Sequence, residues 1–268
     1  AQDRLKEKTL FRELGIDTPD FVAVDSLEAL EEAMAIVGWP AVLKTRREGY
    51  DGKGQAVLRK PEDLASGWGS INGVPAIVEA FVPFDREISI IAVRGKSGET
   101  ECYPVTENTH RDGILRLSIA RPDDAMQKLA EEYAEKILNK VSYVGTLALE
   151  LFQAGDRLLA NEFAPRVHNS GHWTQDGAET SQFENHLRAI LGLPLGATDA
   201  MGHTAMLNMI GVIPDSSDVL VHNHAHLHLY DKEARPGRKV GHINLLAQDE
   251  KVLAAELATL LPLLGEDG

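Results

Sequence analysis

Residues 161–172 read Asn161-Glu162-Phe163-Ala164-Pro165-Arg166-Val167-His168-Asn169-Ser170-Gly171-His172. This stretch gathers a carboxylate, a guanidinium, two imidazoles and two Asn amides, and most of it is too short and polar for a core strand. A second carboxylate, Glu150, lies upstream in the apolar run 146–152, and the turn signal Ala154-Gly155-Asp156 separates the two. The spacing predicts a hairpin over 145–163. An antiparallel pairing centred on residue 156 sets Glu150 opposite Glu162, with both side chains on one face. Adjacent carboxylates repel and are costly to bury unless a cation sits between them. Hard oxygen donors suit magnesium, which takes one or two carboxylates together with substrate phosphates. Two solvated glutamates on a hairpin edge are the plainer alternative, and the apolar run around Glu150 weighs against it.

A second group of residues suits anions. Residues 39–44 predict a short strand ending in Lys44. The loop Gly49-Tyr50-Asp51-Gly52-Lys53-Gly54-Gln55 follows, and 56–59 returns as a strand. Three glycines expose backbone N–H groups and permit left-handed turns, so such a loop can wrap a phosphate closely. Lys44 and Lys53 add point charges. No Gly-Lys-Ser/Thr follows, and no helix opens after the loop, so it is neither a P-loop nor a dinucleotide fingerprint. A structural hairpin turn explains the loop equally well. Glu79-Ala80-Phe81-Val82, with Glu87 five residues on, can offer a strand end to an adenine edge and a carboxylate to ribose hydroxyls. Glu87 as an ordinary surface residue stays open. Basic residues bunch in two places, Lys44/Arg46/Arg47/Lys53 and Arg235/Arg238/Lys239. Basic pockets in an acidic body point to a phosphorylated substrate.

Positioning these groups requires a framework of helices and strands. Residues 4–14 predict an amphipathic helix with Leu5, Leu10 or Phe11, and Leu14 on one side, capped by Asp3 and ended by Gly15. Asp25-Ser26-Leu27-Glu28 opens a second helix to about Val37. A short helix is expected at 62–69. Strands are expected at 77–82, 86–93, 99–106 and 114–120, with a long helix from Asp123 to about Lys140 and another over 180–191. Gly192-Leu193-Pro194-Leu195-Gly196 is the best linker. Beyond it, 203–268 reads as a smaller unit with strands near 204–210, 224–230 and 239–246 and a closing helix from 248. His222, His224, His226 and His228 alternate. As one strand they would share a face, but residues about 7 Å apart along a strand cannot close a zinc tetrahedron.

Composition bounds the rest. The chain has 268 residues, 43% hydrophobic and 25% charged, as in ordinary soluble globular proteins. A net charge of −14 argues against a nucleic-acid or anionic-membrane surface. No apolar run reaches the roughly 20 residues a membrane span needs. One cysteine, Cys102, and no visible secretion signal fit a reducing cytoplasm. The opening at Ala1, directly before a helix, reads as a domain entered partway through.

These residues together resemble the ATP-grasp superfamily and, within it, the N5-carboxyaminoimidazole ribonucleotide synthetases. The resemblance rests on 49–55, on Glu-Ala-Phe-Val-Pro-Phe-Asp-Arg-Glu at 79–87, and on Glu-Asn-Thr-His at 107–110. It rests most specifically on 161–172 and on Arg-Pro-Gly-Arg-Lys-Val-Gly-His at 235–242. It covers nearly the whole chain. It implies an α+β fold in which two subdomains grip ATP, with a small C-terminal β-rich domain. The division expected is 1–195, with a lid subdomain at about 41–106, and 196–268. It implies ATP and magnesium as cofactors, and 5-aminoimidazole ribonucleotide and bicarbonate as small-molecule partners. Carboxyphosphate is the implied intermediate, and a homodimer forms when an N-terminal domain is present. No nucleic acid or membrane partner is implied.

The resemblance also assigns residues. Arg4, Lys44, Gly49, Tyr50, Asp51, Gly52, Lys53, Gly54 and Gln55 would contact ATP phosphates. Glu79, Ala80, Phe81 and Val82 would hold adenine and Glu87 the ribose, with His110, Asn161 and Glu162 completing the nucleotide site. Glu150 and Glu162 would bind magnesium. Tyr50, Asp51, Lys53, Arg166, His168, Arg238 and Lys239 would surround the ribonucleotide and the carboxyphosphate, with Arg166, His168 and Lys53 catalytic. Three departures stand out. An N-terminal domain of the family is missing here, Ala164 replaces a common asparagine metal ligand, and Lys53 stands where arginine is frequent. A catalytically silent nucleotide-binding fragment and another ATP-grasp carboxylate ligase are the competing readings.

Overall fold

The structure, a computed structural model, describes residues 2–47, 49 and 54–265. In chain order the elements are α1 Arg4–Glu13, β1 Phe21–Val24, α2 Leu27–Val37, β2 Ala41–Thr45, β3 Gln55–Leu58, α3 Asp63–Ser70 and β4 Ala76–Ala80. There follow β5 Arg86–Arg94, β6 Thr100–Cys102, β7 Thr106–Arg111, β8 Ile114–Ala120, α4 Gln127–Val141, β9 Gly145–Ala154 and β10 Arg157–Ala164. The chain ends with α5 Thr174–Gly177, α6 Gln182–Leu191, β11 His203–Ile210, α7 Ser216–Leu220, β12 Ala225–Leu229, β13 Lys239–Ala247 and α8 Glu250–Leu260. Two compact units emerge. The first comprises 1–87, 112–114 and 149–163; the second comprises 88–111, 115–148 and 164–268.

The first unit holds a four-stranded sheet in the order β1-β4-β2-β3, antiparallel throughout. Alternation along β2 sends Ala41, Leu43 and Thr45 to one buried face and Val42 and Lys44 to the other. The apolar face packs with Leu30, Met34 and Val37 of α2 and with Leu58, Leu64 and Val78. Helix α3 can lie tight on β3 because Gly67 has no side chain: a Cβ there would meet Leu58 at 2.5 Å.

Helix α1 starts where the cap predicts, since Asp3 is extended and accepts from the amides of Leu5 and Lys6. The buried stripe, however, is Glu7, Lys8 and Phe11, while Leu5, Leu10 and Leu14 are only half-buried. The expected hairpin is present as β9 and β10, neighbours in the sheet, with Gly155 at φ +63° in the turn.

In the second unit the strands run β9-β5-β7-β8-β11-β13-β12, with β6 on β5. The segment 203–268 is therefore not a sheet of its own. Its first strand, β11, pairs with β8 (Leu207 opposite Leu117) and continues the same sheet. Helix α8 packs Leu253, Leu257 and Leu260 beneath β11 and β13.

Three expected boundaries shift. The strand at 77–82 ends at Ala80, where its partners run out: β1 opens at Phe21 and β2 at Ala41, and the last in-register bonds are those from the amides of Ala80 and Phe81 to the carbonyls of Asp20 and Pro40. The strand at 99–106 breaks around Pro104, which has no N–H to donate, and β7 starts afresh at Thr106. Helix α4 starts at Gln127 and not at Asp123, which sits at φ +62° where a right-handed helix cannot run. Of the four alternating histidines only His226 and His228 lie on a strand, β12; His222 instead faces Glu256. Among the described residues no cluster of three metal-ligating side chains occurs, and no helix is long and apolar enough to cross a membrane.

Candidate active site

Within the first unit the face of the small sheet opposite its apolar core carries the charged residues. Val42 stands opposite Glu79 in the β2–β4 ladder, so Glu79 and Lys44 point to the same side. The Lys44 ammonium donates to Glu79 Oε2 at 2.9 Å and to Asn161 Oδ1 at 3.2 Å. Lys8 approaches Glu79 Oε1 at 3.4 Å and donates to the Ala160 carbonyl at 3.0 Å. Glu79 is almost wholly buried. Burial would raise its pKa, but the ammoniums of Lys44 and Lys8 outweigh that and hold it below the usual carboxylate range. Burial lowers the Lys8 pKa to about 8 against the pull of Glu79. Two cations on one carboxylate leave a net positive charge beside the end of β2.

Arg4 extends this group. Its guanidinium donates to the carbonyls of Thr45 and Gly49 at 3.1 and 3.3 Å and lies 3.6 Å from Glu162. Arg46 and Arg47, by contrast, are drawn off by Asp3. Arg46 binds that carboxylate through two nitrogens at 3.2 and 2.9 Å, Arg47 lies at 3.4 Å, and Asp3 is held at about 2, chiefly by its hydrogen bond with Arg46. Of the basic cluster expected at 44–53, Arg46 and Arg47 thus pair with Asp3, and Lys44 faces Glu79 and Asn161. Glu150 and Glu162 are both half-buried on the β9–β10 hairpin, and Glu87 is half-buried near the start of β5. The amides of Ala80 and Phe81 are engaged by Asp20 and Pro40, so neither is left to donate to a base.

The second unit holds Arg166, His168, His110, Arg238 and Lys239. Gln182, wholly buried on α6, clasps the loop that carries His168. Its Oε1 accepts from the His168 amide at 2.9 Å and its Nε2 donates to the His168 carbonyl at 2.7 Å. Gly171 permits this, since a Cβ there would meet Gln182 at 2.7 Å. The His168 ring faces Ser170 Oγ at 2.9 Å, and Tyr143 donates to the Pro165 carbonyl at 2.7 Å. Arg166 and Arg238 are exposed; Lys239 opens β13 and is half-buried. Burial pushes His172 down to about 4 and His242 to about 2, so both are neutral imidazoles. Cys102 is inert by the same cause, its thiol pushed well up.

A family model described as "ATP-grasp domain" matches residues 9–183, and one described as "Phosphoribosylaminoimidazole carboxylase C-terminal domain" matches 204–256. The chain is 53% identical to the N5-carboxyaminoimidazole ribonucleotide synthase of Pseudomonas aeruginosa, over 96% of this chain and 72% of that protein. The chain belongs to the N5-carboxyaminoimidazole ribonucleotide synthase family. The crystal structure of the synthetase from Thermus thermophilus superposes with a TM-score of 0.94 at 55% identity, covering 99% of this chain and 73% of that one. A synthase from Aspergillus clavatus, solved with ADP and 5-aminoimidazole ribonucleotide, gives a TM-score of 0.91 at 30% identity over 98% of this chain and 72% of that one.

The synthase fold thus brings Arg4, Lys44, Glu79, Asn161 and Glu162 into one group, and places Arg166, His168, His110, Arg238 and Lys239 in the other unit. Tyr50, Asp51, Gly52 and Lys53 lie outside the described residues. Glu7, Lys8 and Gln182 escaped the sequence reading. Arg4, Glu7, Lys8 and Phe11 follow the spacing of one helix face, which marks a polar stripe at core positions. Gln182 carries no such signal.

Glu7 has a measurable consequence. Burial raises its pKa to about 7 while its Oε1 accepts from the Phe163 amide. The folded chain therefore keeps a proton that the unfolded chain releases near 4.5. The stability this confers is complete below pH 4.5 and is lost as pH rises through 7. Glu7→Gln retains the acceptor and removes the titration. It is expected to flatten stability between about pH 4.5 and 7 and to gain about 2 kcal/mol at about pH 8. Urea unfolding at both ends of that range tests this; parallel pH dependence in both chains refutes it.

Proposed function

We propose that the chain catalyses the ATP-dependent carboxylation of 5-aminoimidazole ribonucleotide by bicarbonate, yielding N5-carboxyaminoimidazole ribonucleotide, ADP and phosphate, in cytoplasmic purine biosynthesis. The observation that carries this is 53% identity to a named synthase across 96% of the chain. Likeness to a relative solved with ADP and the aminoimidazole ribonucleotide supports the same substrates. The two family models, at 9–183 and 204–256, support division into an ATP-grasp domain at 1–195 and a C-terminal domain at 196–268. Partners are small molecules, and the net charge of −14 disfavours nucleic acid. The complete enzyme is read as a homodimer.

Bicarbonate is a poor electrophile. Its oxygen attacks the γ-phosphorus of ATP, ADP leaves, and carboxyphosphate carries a phosphate leaving group. The exocyclic amine of the ribonucleotide then forms the C–N bond, phosphate departs, and the amine gives up one proton. Such transfers need alignment and charge neutralisation more than covalent help. Arg4, Lys44 and the glycine loop at 49–55 hold the ATP phosphates. Glu79 to Val82, Glu87, His110 and Asn161 hold the nucleoside. Arg166 offers bicarbonate a bidentate fork. His168, held at its backbone by Gln182, accepts the amine proton. Tyr50, Asp51, Lys53, Arg238 and Lys239 bind the ribonucleotide.

The donor set also suits magnesium. Glu150 and Glu162 are hard oxygen donors, half-buried on one hairpin, and two carboxylates plus phosphate oxygens suffice for this ion without Ala164 contributing. When bound, the ion neutralises charge on the transferring phosphoryl group.

The decisive assay is ADP release by the chain with each substrate omitted in turn. Release that needs both bicarbonate and the ribonucleotide supports the assignment, and release indifferent to bicarbonate defeats it. Lys239→Ala is expected to raise KM for the ribonucleotide about tenfold, roughly one charge-assisted contact, with KM for ATP unchanged. Equal losses for both ligands contradict this division of labour.

A further inference from the structure

Asp3, Lys8 and Glu79 are buried charges, and each faces an opposite charge. Arg116 on β8 differs. The residue is 7% exposed, and its Nε and Nη1 have no hydrogen-bond partner among the described residues. A buried cation without a counter-charge is strongly destabilising, because it has lost its hydration and gained nothing in return. Its surroundings are polar. Asn208 on β11 donates to the carbonyl of Leu115, the residue before Arg116, at 2.9 Å, and its Oδ1 is buried and unpartnered among the described residues. Asn208 stands opposite His242 of β13, the strand on the other side of β11. The Tyr230 hydroxyl lies 2.6 Å from His242 Nδ1. With that hydroxyl donating, the neutral ring carries its hydrogen on Nε2, and Nε2 is likewise buried without a described partner. Guanidinium and imidazole N–H donors thus lie on the strands flanking Asn208, and no described residue accepts from them.

We propose that Arg116, seconded by His242, forms a buried subsite for a small oxyanion, occupied during the reaction by the carboxyphosphate made from bicarbonate. The identity of the occupant rests on the function proposed above; the anion site itself does not. The 5′-phosphate of the ribonucleotide has the same chemistry and is the rival occupant.

Arg116→Met keeps the length of the stem and removes the charge. In thermal unfolding without ligands it is expected to melt about 2–4 °C higher than the wild-type chain, since the uncompensated cation is gone. Inorganic phosphate should raise the melting temperature of the wild type and have a smaller effect on the variant. A variant that melts lower, fails to fold, or keeps the full phosphate response makes Arg116 a structural residue and overturns the subsite.

Kinetics then identify the occupant. Bicarbonate-dependent ADP release at saturating ribonucleotide should fall about 100-fold in Arg116→Met, and at least about tenfold in Arg116→Lys, which keeps the charge without the fork. The ribonucleotide KM should be unchanged. A raised ribonucleotide KM with normal bicarbonate-dependent release overturns carboxyphosphate as the occupant. If the wild type itself shows no bicarbonate dependence, the proposed function fails, and the phosphate titration still decides the subsite.

Discussion

Glu162→Gln is expected to lower turnover about a thousandfold, some ~4 kcal/mol of transition-state stabilisation, while leaving folding nearly untouched. The asymmetry follows from where the side chain sits. Glu162 is 44% exposed and lies 3.6 Å from Arg4, so its contribution to stability as an ion pair is on the order of 0.5 kcal/mol. Its proposed contribution to catalysis is as a donor to a divalent ion, and an amide oxygen is a far weaker donor than a carboxylate. Glu150→Gln is expected to act in the same direction, with the two effects overlapping because both serve one ion. ADP release titrated with magnesium, beside thermal unfolding, tests this. Unchanged turnover in either variant removes the metal role.

Lys44→Met should behave differently, with stability and ATP use falling together. Removing the ammonium leaves the buried Glu79 carboxylate with Lys8 at 3.4 Å, on an atom that receives no hydrogen bond from the described residues. Breaking a buried pair from one side costs about 3 kcal/mol, because the remaining charge has lost both hydration and its closest partner. The double variant Lys44→Met/Glu79→Gln removes that charge and is expected to recover most of the stability without recovering ATP affinity. Urea unfolding and ATP titration separate the two effects. If ATP affinity returns along with stability, Lys44 acts only by neutralising Glu79.

Much of the fold was legible because local rules agreed with the tertiary outcome. The caps at Asp3 and Ser26, the turn at Gly155 and the alternation along β2 each follow from short-range chemistry, and each appears where expected. Boundaries shifted where a single backbone group decided them, as at Pro104 and at Asp123. The segment 203–268 reads as separate because a linker-like run precedes it. Nothing local says that β11 will pair with β8, since strand partners are chosen by a whole sheet face.

The residue types that can do this chemistry, and the family they belong to, could be read from the chain alone. Carboxylates, glycine loops and basic pairs declare their chemistry through identity and spacing. Only the tertiary structure decided which charges remain available. Asp3 takes Arg46 and Arg47, Lys8 reaches Glu79 from a helix 71 residues away, and Gln182 sets the backbone of His168 across fourteen residues. Arg116 is left with N–H groups that no described residue receives. The physical reason is that a charge is neutralised by whatever folding brings within a few ångströms, and burial multiplies that interaction several-fold over its value in water. Neither distance nor burial is written in the order of residues.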